Sequence, residues 1–116
     1  MKDFKKLKTW QKGIKLVVDI YKTSGNFPKE ELYGLTSQMR RSSISIPSNI
    51  AEGAGRNSDK DFNRFLDISL GSSFELETQV IIAKELEFLS EIEFQNLTEK
   101  IQEEQKMITG LQRSLK

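Results

Sequence analysis

A chain of 116 residues, 36 % hydrophobic and 30 % charged, has room for one domain, which should bury about two thirds of the surface its unfolded form exposes. It contains no cysteine and no histidine, which excludes disulfides and thiolate metal sites and removes the commonest general base, so catalysis is not expected. The net charge of +1 divides unevenly, with +6 on residues 1–58 and −5 on residues 59–116; this suits either a basic face for an acidic polymer or halves that attract within and between subunits.

The longest aliphatic runs, Leu16-Val17-Val18 and Val80-Ile81-Ile82-Ala83, are far shorter than the roughly 20 residues a bilayer span needs. A cytoplasmic protein without membrane contact is expected, and no cofactor or metal is expected either.

Leu7, Trp10, Ile14, Val17 and Tyr21 alternate three and four residues apart, which predicts an amphipathic helix over about 7–23 with Trp10 and Tyr21 on its core side. Ser24-Gly25-Asn26-Phe27-Pro28 is a turn signal. A second helix should start near Pro28 or Lys29 and carry Leu32, Leu35, Met39, Ser42, Ile46, Asn49 and Gly53 on one stripe. Pro47 lacks an N–H and crowds the Ser43 carbonyl. Because the stripe keeps its phase across Pro47, the expectation is a helix that continues with a kink.

Gly53 and Gly55 suit a helix end, and Ser58 with Asp61 resembles a capping box. The third helix should reach about residue 88 and has two apolar stripes. One contains Phe62, Leu66, Ser69, Ser73, Leu76, Val80 and Ala83; the other contains Phe65, Ile68, Ser72, Gln79, Ile82 and Leu86. Two stripes call for two partners. Ser90 and Glu93 form a full capping box flanked by Leu89 and Phe94, opening a fourth helix whose stripe includes one charged residue in register, Glu104. Short connections between long helices predict an all-α, antiparallel up-down-up-down four-helix bundle.

With the second and third helices pivoting near Arg56, Ser42 and Ser43 should face Ser69 to Gly71, and Arg41 should reach Glu75 as an ion pair. Small residues at one level would let the two backbones approach closely. Glu52, Glu75 and Glu77 could in principle gather around Mg2+. Gly53-Ala54-Gly55-Arg56 looks superficially like a phosphate loop but follows a helix and lacks the Gly-Lys-Ser/Thr ending.

The run from Phe27-Pro28 through Tyr33-Gly34-Leu35 and Gln38-Met39-Arg40-Arg41, then Ser45-Ile46-Pro47-Ser48-Asn49-Ile50-Ala51-Glu52-Gly53, and later Gly71-Ser72 with Glu75-Leu76-Glu77-Thr78-Gln79, resembles the four-helix bundle family of 23S rRNA intervening-sequence proteins. Ser42-Ser43 stands where alanines are common in that family. The resemblance implies a ring-like homopentamer without catalytic residues. It also implies two branches, one encoded inside ribosomal RNA genes and one, the accessory variability determinants of diversity-generating retroelements, that partners a reverse transcriptase and nucleic acid.

Taken together, these readings expect an oligomer that binds RNA or DNA, with a scaffold for a protein partner as the alternative. The candidate phosphate contacts are Lys5, Lys6, Lys8, Lys12, Lys15, Arg40, Arg41 and Arg56, with Lys2 beside them. The candidate structural or subunit seam is Ser42, Ile46, Asn49, Glu52, Ile68, Ser72, Glu75 and Ile82.

Overall fold

The computed structural model describes residues 2–115. Four helices, α1 (Lys8–Ser24), α2 (Leu35–Ala54), α3 (Asp59–Glu85) and α4 (Glu91–Ser114), form an antiparallel bundle, with short 3-10 turns at Phe4–Lys6 and Lys29–Glu31. Each helix packs against its sequence neighbours and α4 returns to α1. Among the described residues no helix is long and apolar enough to cross a membrane.

The two predicted caps are present. Ser58 Oγ accepts from the Asp61 N–H at 3.1 Å. At α4, Ser90 Oγ accepts from the Glu93 N–H at 3.1 Å while Glu93 Oε1 accepts from the Ser90 N–H at 2.9 Å, so donors that helix geometry leaves free are satisfied reciprocally. The end of α3 comes earlier than residue 88. Glu87 takes a left-handed φ of 66°, and the Phe88 N–H reaches back to the Ala83 carbonyl at 2.9 Å, closing the helix as a glycine normally would.

Two further expectations are corrected. The second helix does not begin at Pro28 or Lys29: residues 32–34 form a turn, Leu32 and Tyr33 are exposed, and α2 starts at Leu35, whose N–H is held by Glu31 Oε1 at 3.2 Å. In α1 the buried line is Thr9, Gly13, Leu16, Ile20 and Ser24, one position round from the predicted stripe. Small residues at Thr9 and Gly13 let α1 approach its neighbours, while Leu16 and Ile20 fill the interior. Trp10 is displaced to the core's edge, edge-on to Phe4 at 5.2 Å, and Tyr21 is half-exposed beneath Arg40, 4.5 Å from its ring.

Helix α2 continues through Pro47, and α2 and α3 approach closely at Gly53, near their shared turn. A Cβ built at Gly53 would stand 2.7 Å from Phe65 Cβ, 2.8 Å from Phe62 Cδ1 and 3.2 Å from the Phe62 carbonyl oxygen. Those neighbours belong to α3's backbone and rigid rings and cannot swing aside. Gly53→Val should therefore cost about 1–3 kcal/mol or more by overpacking, measured as a lower urea midpoint with an unchanged slope.

Farther from the turn the two helices are joined by hydroxyls. Ser69 Oγ donates to the Ile46 carbonyl at 2.9 Å, Ser45 and Ser72 share a hydrogen bond of 2.7 Å, and Ser42 Oγ meets the buried Gln79 Oε1 at 2.9 Å. Ser42 is thus paired more than a turn further along α3 than a pivot at Arg56 predicts. The pivot shifts because residues 55–58 lie outside both helices, and the long Gln79 side chain extends the reach.

Candidate nucleic-acid interface

Antiparallel packing brings the start of α1, the end of α2, the start of α3 and the end of α4 to one end of the bundle. The Lys2 N–H donates to the Ala54 carbonyl at 2.9 Å, and Gln112 Nε2 of α4 donates to Asp67 Oδ1 of α3 at 2.7 Å, tying these termini together. Lys5, Lys6, Lys8 and Arg56 are all exposed here, with Lys2. Three exposed cations that sequence pattern alone does not single out, Lys60, Arg64 and Arg113, belong to the same end. Only the antiparallel topology makes them neighbours.

The acids at this end are largely committed to helix starts. Asp3 accepts from the Lys5 N–H at 3.2 Å, while Asp59 and Asp61 occupy the first turn of α3, where the helix dipole favours negative charge. Arg56 lies over the Phe65 ring at 4.7 Å and Arg64 over the same ring at 5.2 Å. That ring orients two guanidinium groups without neutralising them, although Arg64 also pairs loosely with Asp61 at 3.7 Å.

The remaining candidate cations are placed elsewhere. Lys12 pairs with Glu103 at 3.5 Å on the α1–α4 side, and Lys15 borders the same small cleft with Asp19 and Lys100. Arg40 is turned to structure: its Nε donates to Ser24 Oγ at 3.0 Å and its Nη2 to the Tyr21 carbonyl at 3.2 Å, serving the last turn of α1 at the opposite end of the bundle. These bonds engage two of the five N–H donors of its guanidinium within the protomer.

Arg41 does not pair with Glu75. The ion pairs among the described residues are Lys12–Glu103, Arg64–Asp61, Lys84–Glu91 and Lys100–Asp19. Arg41 and Glu75 instead border a polar cleft of about 610 Å³ together with Gln38, Ser42 and Ser45. The carboxylates considered for Mg2+ also diverge: Glu77 faces α4 and accepts from Gln102 and Gln105 at 3.2 and 2.9 Å, whereas Glu75 faces that cleft with α2.

The candidate seam divides in the same way. Ser42, Ser72 and Asn49 are spent within the protomer, Asn49 Nδ2 donating to the Ser45 carbonyl at 2.8 Å. Ile46 is 0 % exposed, so it belongs to the core and has no surface to offer a neighbour. Glu52 is exposed. Ile68 and Ile82 remain 46 % and 44 % exposed, and Leu86 is exposed beyond them. Trp10, Ile14 and Val17 of α1 and Ile44 of α2 border an apolar groove of about 290 Å³ that Pro47 also lines.

The fold and this end define a class: an antiparallel four-helix bundle with clustered cations at one end and apolar strips along its flanks. A comparison with family models matches residues 5–110 to the 23S rRNA-intervening sequence protein. The chain belongs to that family. Among solved structures it is similar to a protein of unknown function from the S23 ribosomal protein family of Bacteroides thetaiotaomicron, with a TM-score of 0.84 and 22 % identity over 90 % of this chain and 95 % of that one. At that identity the likeness shows the fold. No curated protein matches.

Proposed function

We propose that this protein is a non-catalytic, ring-forming homo-oligomer, pentameric by family resemblance, that holds nucleic acid, RNA foremost, through the basic end of each bundle. The observation that carries the reading is the gathering of Lys5, Lys6, Lys8 and Arg56 with Lys60, Arg64 and Arg113 at that end. A ring presents the patch once per subunit, so individually weak phosphate contacts add through effective concentration. Recognition of this kind reads charge and shape, not base edges.

The exposed apolar strips support self-association. Ile68, Ile82 and Leu86 offer a ridge, and the α1–α2 groove offers a complementary hollow. A ridge of one copy seated in the groove of the next is a head-to-tail contact, the type that closes into rings. The basic first half and acidic second half would attract in the same sense. A scaffold for a protein partner such as a reverse transcriptase is favoured by one feature, the exposed Leu32 and Tyr33, the latter 93 % exposed, beside Arg41 and Ile44.

Filter binding of structured RNA across a salt series tests the leading reading. Lys5→Glu/Lys6→Glu/Lys8→Glu should abolish most retention at about 50 mM salt, and replacing the same three lysines by glutamine should flatten the slope of log affinity against log salt by roughly 0.7–0.9 for each lysine that touches a phosphate. Lys22→Glu/Lys29→Glu, at the opposite end, should leave binding intact. Equal losses from both sets would show only a response to net charge and defeat the assignment.

A further inference from the structure

Among the buried described residues one side chain is ionisable: Glu104, 1 % exposed. Neither of its carboxyl oxygens meets a hydrogen-bond partner. It projects from α4 to the point where Gly13 of α1 packs on Pro47 of α2. A Cβ added at Gly13 would stand 3.1 Å from Glu104 Oε2 and 3.3 Å from Pro47 Cβ, so the Gly13 backbone is held between a carboxyl group and a proline ring. Pro47 also leaves the Ser43 carbonyl without the N–H that a continuous helix would supply.

The charged groups that bear on this carboxyl are Glu103 of its own helix and Lys12 of α1, and these two are paired with each other at 3.5 Å. The buried residues of α1, α2 and α3 include no titratable group. A negative charge on Glu104 would therefore sit in the interior without a hydrogen-bond donor, its one nearby cation, Lys12, being shared with Glu103, a costly way to bury a carboxylate.

We propose that Glu104 is a proton-operated latch: protonated, it lets α1 close on Pro47 through Gly13, and ionised, it loosens the junction of α1, α2 and α4. Pro47 also lines the α1–α2 groove, so the latch reaches the surface through a single residue. Its operation is independent of nucleic-acid binding.

Burial first, and the like charge of Glu103 second, push the Glu104 carboxyl up to about 8, with Lys12 pulling the other way. The folded chain thus holds this proton more tightly than the unfolded chain, where the carboxyl titrates near 4.5. The stabilisation is complete below that unfolded value, erodes as pH rises, and is lost once pH passes the folded value. Between the two, the folded-to-unfolded ratio should fall about tenfold per pH unit on account of this one group.

Urea denaturation of the whole chain at about pH 5.5 and about pH 7.5 tests the linkage. Relative to Glu104→Gln, the wild type should lose about a hundredfold in its folded-to-unfolded ratio between those two conditions. Parallel pH dependences in the two proteins would overturn the proposal. Should Glu104→Gln fail to fold, the carbon-13 resonance of the wild-type Glu104 carboxyl gives the same answer: a midpoint well above the ordinary carboxyl range supports it, and one near the unfolded value of 4.5 sinks it. Amide exchange, corrected for intrinsic base catalysis, reads the latch itself. Opening at Gly13 should increase above the midpoint more than opening at Leu76, and equal changes at both would show a global effect with no latch.

Discussion

Under the proposed self-association, Ile68→Glu/Ile82→Glu should yield folded monomers, seen as a fall in mass by light scattering with the helical circular dichroism retained. Both side chains are nearly half-exposed on a single protomer, so a carboxylate at either site keeps its water and should alter protomer stability by no more than about 0.5 kcal/mol. In an interface the same carboxylates would be stripped of water against apolar neighbours. Central contacts of that kind are worth about 2 kcal/mol or more each, roughly thirtyfold apiece in dissociation constant. A wild-type protein already monomeric at micromolar concentration would end the oligomer reading. Unfolding of the double variant would mean that these isoleucines are needed by the protomer itself, contrary to their exposure.

Ile46→Ala should do the reverse, leaving association chemistry untouched and weakening the fold by about 2–5 kcal/mol. Ile46 is completely buried in the core, and its carbonyl accepts the Ser69 hydroxyl across the α2–α3 contact at 2.9 Å. Truncation leaves a cavity where two backbones are already held close by Gly53 and the serines, so collapse around it is restricted. Against a total stability of about 5–15 kcal/mol, the loss should lower the urea midpoint by roughly 1–3 M. A shift of a few tenths of a molar would show that Ile46 is not a core anchor.

The contrast between Ile46 and Ile82 marks how far sequence reasoning reached. Both sit in phase on stripes of long helices, and periodicity gives a residue's angle on its helix but not the partner that angle meets. The second stripe of α3 was legible as surplus apolar surface, yet Ser72 and Gln79 within it turn to α2 while Ile68, Ile82 and Leu86 stay uncovered. In α1 the period was right and the phase wrong by one residue, because Trp10 and Tyr21 outweigh Gly13 in any hydrophobic count although Gly13 is what lets the helices approach. The end of α3 was misplaced because Glu87 adopts a left-handed conformation that glycine usually signals.

Arg40 and Arg41 show the same limit for the site. Adjacent in sequence and alike in charge, they separate in space: one serves the α1 terminus and the other borders the polar cleft. The Ser58 cap, the Ser90–Glu93 capping box, the helix count and the SIPSNIAEG run needed no coordinates, since each depends on residues within a few positions of one another. By itself the chain thus determined four amphipathic helices, the capped starts of α3 and α4 and the antiparallel order, all consequences of local hydrogen bonding and short connections. Which cations share an end, which isoleucines remain uncovered, and that Glu104 lies against Gly13 and Pro47 without a partner were decided by the tertiary structure, because helix rotation and register are set by side-chain volume summed over all four helices.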